Sequence, residues 1–144
     1  MVVSLTFSMT SEPEQLARMR SWLWTALVGQ GLPLDECARL LLAVGELCAN
    51  AIQHGYHGIP GQLIRVSLEV REGRLVAEVE DWGAPFDPAY DRTPDLDALP
   101  DQGLGLFLVR SVVDEVSFDV GRPAGTKWTL SKRLTPGPHP VPPR

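Results

Sequence analysis

Hydrophobic and polar positions along the chain alternate in two periods, and each period marks an element. Residues 2–8, Val-Val-Ser-Leu-Thr-Phe-Ser, are rich in β-formers and predict a short strand. Ser11-Glu12-Pro13-Glu14 predicts a helix start, with Ser11 as its N-cap, and Leu16, Met19, Leu23 and Leu27 follow at helical spacing. Gly29, Gly31 and Pro33 end that helix. The clearest stripe comes next: Cys37, Leu40, Leu41, Val44, Leu47, Cys48, Ala51 and Ile52 predict a second helix opening near Leu34-Asp35 and fading over His54 to Gly58.

The period then changes to two. Ile64, Val66, Leu68 and Val70 alternate with polar residues, Glu72-Gly73 fits a hairpin turn, and Leu75, Ala77 and Val79 continue on the returning strand. Parity carries the inward face on to Asp81, so a carboxylate is aimed at the core side where the strand ends. Residues 84–102 lose all periodicity and hold four prolines and five aspartates, the pattern of a functional lid or an insert. Gly103-Leu104-Gly105-Leu106 opens a helix to about Glu115, and Val116–Val120 and Thr126–Leu130 predict two closing strands. The order β-α-α-β-β-lid-α-β-β predicts an α/β (α+β) two-layer sandwich, with a mixed, largely antiparallel sheet and the helices on one face.

Composition narrows the possibilities. The 144 residues suit one domain, expected over 1–134, followed by a tail over 135–144 with five prolines that is expected to be disordered. No apolar run approaches the ~20 residues of a membrane span, and Met1 to Thr10 lacks the features of a signal peptide, so a cytoplasmic location is expected. A net charge of −5 without a basic cluster argues against nucleic acid as a partner. Cys37 and Cys48 are 11 residues apart, roughly 16 Å along a helix, too far for a disulfide. Trp24 falls off the first helix's stripe and is expected at the surface.

Four features bear chemistry. Glu46 and Asn50 are four apart and share a helix face. A carboxylate there can orient or deprotonate a hydroxyl, and an amide oxygen suits Mg²⁺; alone, the pair reads equally as a solvated helix rim. Asp81 needs hydrogen-bond partners, which an adenine amino group or the following turn would supply, and Gly83 would let a base come close. Gly103 and Gly105 before a helix free the backbone to approach phosphates, although turns use glycine as often. Thr126, after Gly125, starts a strand and could bond a base directly or through water. His54 and His57, three apart with no third ligand, do not make a metal site; His54 either packs or contacts a phosphate.

In this fixed order, Glu46-Leu47-Cys48-Ala49-Asn50-Ala51-Ile52-Gln53-His54-Gly55-Tyr56, Asp81-Trp82-Gly83, Gly103-Leu104-Gly105-Leu106-Phe107-Leu108-Val109 and Gly125-Thr126 resemble the ATP-binding fold shared by gyrase-type ATPases, histidine kinases and mismatch-repair ATPases (GHKL). The chain most resembles the bacterial anti-sigma-factor serine/threonine kinases, over residues 1 to about 134. That resemblance implies ATP and Mg²⁺ as cofactors. Asn50 would coordinate Mg²⁺, Glu46 would be the general base and Asp81 would accept from the adenine amino group. His54 would lie near the phosphates, with Gly103, Leu104, Gly105 and Leu106 facing them beneath the lid, and Thr126 would support the base. Pro85 and Gln102 stand where many relatives carry glycine, which stiffens or shortens the lid hinges. The resemblance further implies a homodimeric kinase that phosphorylates a serine of an antagonist protein and sequesters a sigma factor, with no direct contact to nucleic acid or membrane. A nucleotide-gated binding module without kinase activity is the second reading; a slow ATPase and a plain interaction domain are others. A complete sensor histidine kinase is not expected at this length.

Overall fold

The computed structural model describes residues 2–87 and 104–134. Gly103, most of the expected lid and the proline-rich tail lie outside the described residues. The elements are β1 (Val2–Thr10), α1 (Gln15–Gly29), α2 (Leu34–Asn50), β2 (Leu63–Arg71), β3 (Arg74–Asp81), α3 (Leu104–Val112), β4 (Glu115–Asp119) and β5 (Lys127–Arg133). The five strands form one sheet in the order β1-β2-β3-β5-β4. All four pairings are antiparallel, the limit of the largely antiparallel sheet expected.

Alternation decides what the sheet buries. Ile64, Val66 and Leu68 on β2, Leu75, Ala77 and Val79 on β3, and Trp128 and Leu130 on β5 are all buried, while their neighbours in sequence face the opposite, polar side. The helices cover the apolar face: Met19, Leu23 and Leu27 of α1 and Leu40, Val44 and Leu47 of α2 close the core over it, joined by Leu106 and Val109 of α3. Each such side chain contributes about 1.5–3 kcal/mol by leaving water. The β2–β3 hairpin turns through Glu72 and Gly73 at φ 49° and 74°, the left-handed pair that matches strand twist. Trp24 is exposed as expected; Trp22 is half-buried, stacked on Phe7 at 5.4 Å between ring centres. No helix among the described residues is long and apolar enough to cross a membrane. Both thiols are free and buried, and burial pushes Cys48 up to about 12.

Two local readings change. The first helix begins at Gln15, not Ser11. The Ser11 hydroxyl instead donates to the Ile59 carbonyl at 2.6 Å and accepts from the Gln62 N–H at 3.0 Å, tying the end of β1 to the turn before β2. And the second helix does not fade at His54. It widens into a π-helical turn over Ala51–Gly55, closed by the Tyr56 N–H on the Ala51 carbonyl at 2.9 Å. Such widened turns insert a residue into a helix and recur at functional sites.

Ser11→Ala removes both bonds of a buried hydroxyl. It should lower unfolding stability by about 1–3 kcal/mol, read from the midpoint of urea denaturation at unchanged m-value.

Candidate functional site

The C-terminal end of α2, its π-helical turn, the end of β3 and the start of β5 converge on one cleft of about 180 Å³. Asn50 and His54 line it from the helix, Asp81 from β3, Thr126 from just before β5, Trp128 from β5, and Ala84 to Asp87 from the segment after β3. Four side chains expected to act together therefore meet: Asn50, His54, Asp81 and Thr126.

Asp81 follows the inward parity of β3 and is 3% exposed. Its carboxylate Oδ1 accepts from the Gly83 N–H at 3.0 Å. Burial raises its pKa above the ordinary aspartate value; the backbone bonds from Gly83 and Thr126 and the charge of Arg122 pull it partway back. The Thr126 backbone carbonyl also accepts from the Asp81 N–H at 3.0 Å, and its hydroxyl accepts from the Phe86 N–H at 2.8 Å. Thr126 thus holds both Asp81 and the chain that leaves β3. Phe86 is fixed a second way, edge-on against Trp128 at 4.8 Å and Phe118 at 5.0 Å.

Gly83 is confined by the protein itself. A Cβ there would stand 2.1 Å from the Gly55 carbonyl oxygen, and the neighbouring Ala84 N–H donates to that same oxygen at 2.7 Å. The backbone of the helix end and the backbone after β3 are in direct contact, and no side chain fits between them.

Glu46 lies one turn before Asn50, half-buried. A Cβ on Gly105 would come within 2.6 Å of the Glu46 Oε2, so the carboxylate rests against the first turn of α3. That is a favourable end of a helix for an anion. Leu104 opens α3. Leu106 is 3% exposed and packs in the core, so its side chain does not reach the cleft, and only its backbone could face a ligand. The reason is helical geometry: with Gly105 turned to Glu46, the next residue is rotated onto another face of the helix, and there it meets the core.

Sequence reasoning missed Phe86, Arg122 and the function of Tyr56. Arg122 pairs with Glu80 at 2.8 Å and lies 5.3 Å from the centre of the Trp82 ring, which Arg65 flanks at 5.2 Å. Nothing local announces these partners, which come from other strands.

The sequence profile of the histidine kinase-like ATPase domain matches residues 9–132. The chain belongs to this family. The histidine kinase-like ATPase described here is 32% identical over 134 residues to the serine-protein kinase RsbW of Bacillus pumilus, covering 86% of this chain and 82% of that one. It is 31% identical over 132 residues to the RsbW of Bacillus subtilis, covering 86% and 81%. Its fold matches the solved structure of the RsbU and RsbW domains of Rv1364c from Mycobacterium tuberculosis with a TM-score of 0.69, at 23% identity. That match covers 92% of this chain and 32% of the longer protein.

ATP is the family's ligand, and the residues of this ATPase fit it. The cleft offers a buried acceptor, Asp81, and an amide side chain, Asn50. Among the described residues no group of three or more His, Cys, Asp or Glu could hold a metal ion alone.

The raised Asp81 gives a pH signature. Between 3.8 and its folded value the folded state holds the proton more tightly than the unfolded chain, so stability falls as pH rises through that window and the cost is fully present above it. A ¹³C NMR titration of the Asp81 carboxyl should give a midpoint above 3.8, and a midpoint at or below it would contradict the burial argument.

Proposed function

We propose that this ATPase is a protein serine kinase of the partner-switching, anti-sigma type, which transfers the γ-phosphoryl group of ATP to a serine of an antagonist protein in the cytoplasm. The observation that carries the proposal is the single cleft in which Asn50 and His54 from α2 face Asp81 and Thr126, with Glu46 one turn away against the start of α3. The names of the relatives, serine-protein kinases, support the reaction class.

In this reading the Asp81 carboxylate accepts from the adenine amino group, with Thr126 holding Asp81 in place. Asn50 offers its amide oxygen to Mg²⁺, which when bound offsets the negative charge of the phosphates. His54 and the backbone of Leu104, Gly105 and Leu106 face the phosphates, where the N-terminus of α3 favours anions, and Gly103, outside the described residues, would take the same role. Glu46 takes the proton from the serine hydroxyl as its oxygen bonds to the γ-phosphorus and the bond to the β-phosphate oxygen breaks, releasing ADP. The kinase acts as a homodimer and exchanges partners, a sigma factor among them, according to the phosphorylation of the antagonist. The absence of any charged residue in the edge strand β1 fits a self-association surface.

Two substitutions test the roles. Glu46→Gln should lower single-turnover phosphate transfer from ATP to the antagonist by about 10²–10⁴-fold with ATP affinity retained; equal transfer would remove Glu46 as the base. Gly105→Ala should keep or slightly raise the melting temperature, since alanine favours helix, while its methyl group displaces the Glu46 carboxylate. Transfer should then fall by about tenfold or more, and unchanged transfer would show that the contact between Glu46 and α3 is idle.

A further inference from the structure

The end of β3 is built in an unusual way. In an antiparallel sheet, a residue's N–H and C=O point to the same neighbour, and the direction alternates along the strand. The Asp81 N–H points to β5, where it meets the Thr126 carbonyl at 3.0 Å. The Trp82 N–H must therefore point to β2. Ile64 is paired with Asp81, so continuing the register by one residue sets Leu63 opposite Trp82. A direct rung from the Trp82 N–H to the Leu63 carbonyl is what the ladder would form next.

That rung is made by a side chain instead. The Tyr56 hydroxyl accepts from the Trp82 N–H at 2.8 Å and donates to the Leu63 carbonyl at 2.6 Å. It sits between two groups that would otherwise bond each other, and so spreads β3 from β2 just after Asp81. Tyr56 is 7% exposed, and its ring edge stands 2.8 Å from where any Cβ on Gly83 would be. The same residue closes the π-helical turn that carries His54.

We infer that Tyr56 is a positioning residue for base selection: its hydroxyl, through the Trp82 N–H, sets where the Asp81 carboxylate points and so how well the site recognises the amino group of adenine. This rests on the reading of Asp81 proposed above. Tyr56 does not touch the base; it acts through residues 81–83. Without the hydroxyl, the rung either closes directly and draws Trp82 toward β2, or leaves both groups unpaired. Both outcomes move the segment that holds Asp81.

The test compares binding of Mg-ATP with Mg-inosine triphosphate, which lacks the amino group, in wild type, Tyr56→Phe and Asp81→Asn. Tyr56→Phe should reduce the preference for ATP about tenfold, with affinity for the inosine nucleotide changed less than about twofold. A purely structural role would weaken both nucleotides alike or lower only the melting temperature; an unchanged preference overturns the inference. Asp81→Asn separates the two levels. If it leaves the preference intact, the base-site reading fails and the inference with it. If it abolishes the preference and Tyr56→Phe does not, only the role of Tyr56 fails. Should Tyr56→Phe not fold, hydrogen exchange of the Trp82 amide in wild type decides: protection comparable to the β3 amides supports the rung, and exchange at the rate of an open loop overturns it.

Discussion

The contact on which the site depends is between two stretches of backbone. The carbonyl of Gly55, at the end of the widened turn after α2, receives the Ala84 N–H and leaves no room for a side chain on Gly83. It joins the helix that carries Glu46, Asn50 and His54 to the strand end that carries Asp81. Packed backbones have no rotamers to adjust, so the distance between the two halves of the cleft is fixed by covalent geometry and hydrogen bonds. A β-carbon at 83 would push the halves apart at a joint that has no compliance.

Around that joint the sheet performs two tasks with one repeat. Ile64, Val66, Leu75, Ala77 and Val79 bury apolar surface, and the same alternation delivers Asp81 to the same side. The strand's last inward position holds a group that burial disfavours as an anion. Backbone N–H groups and Arg122 offset part of that cost. The fold gives up some stability at this position to keep a carboxylate inside.

The periods of two and 3.6 made much of this legible. Parity alone placed Asp81, and helical spacing alone put Glu46 and Asn50 on one face. The gathering of Asn50, His54, Asp81 and Thr126 into one cleft was legible through the order of four short motifs. The contact of Glu46 with Gly105 was not. The rest depends on partners distant in sequence. Ser11 looked like a helix cap but bonds Ile59, 48 residues on, because the turn before β2 competes for the same hydroxyl. Gly83 was read as letting a base come close, and the direction a side chain would take there is filled by Gly55, which no local pattern announces. Phe86 reaches Thr126 across 40 residues. Leu106 sat inside a glycine-rich motif, and only the rotation of α3 assigns it to the core. Local pattern reports which face a residue has, and long-range pairing chooses what that face meets.

The rung made by Tyr56 has a consequence for how such a protein can change over generations. Hydrogen bonds within a sheet are made by atoms that every residue carries, so replacing a side chain rarely deletes one. Here one rung of the ladder belongs to a phenol and can be lost in a single codon. The end of the β2–β3 ladder is thereby exposed to inherited variation that the rest of it is shielded from. One change at residue 56 can remove that rung while every residue of β2 and β3 stays the same.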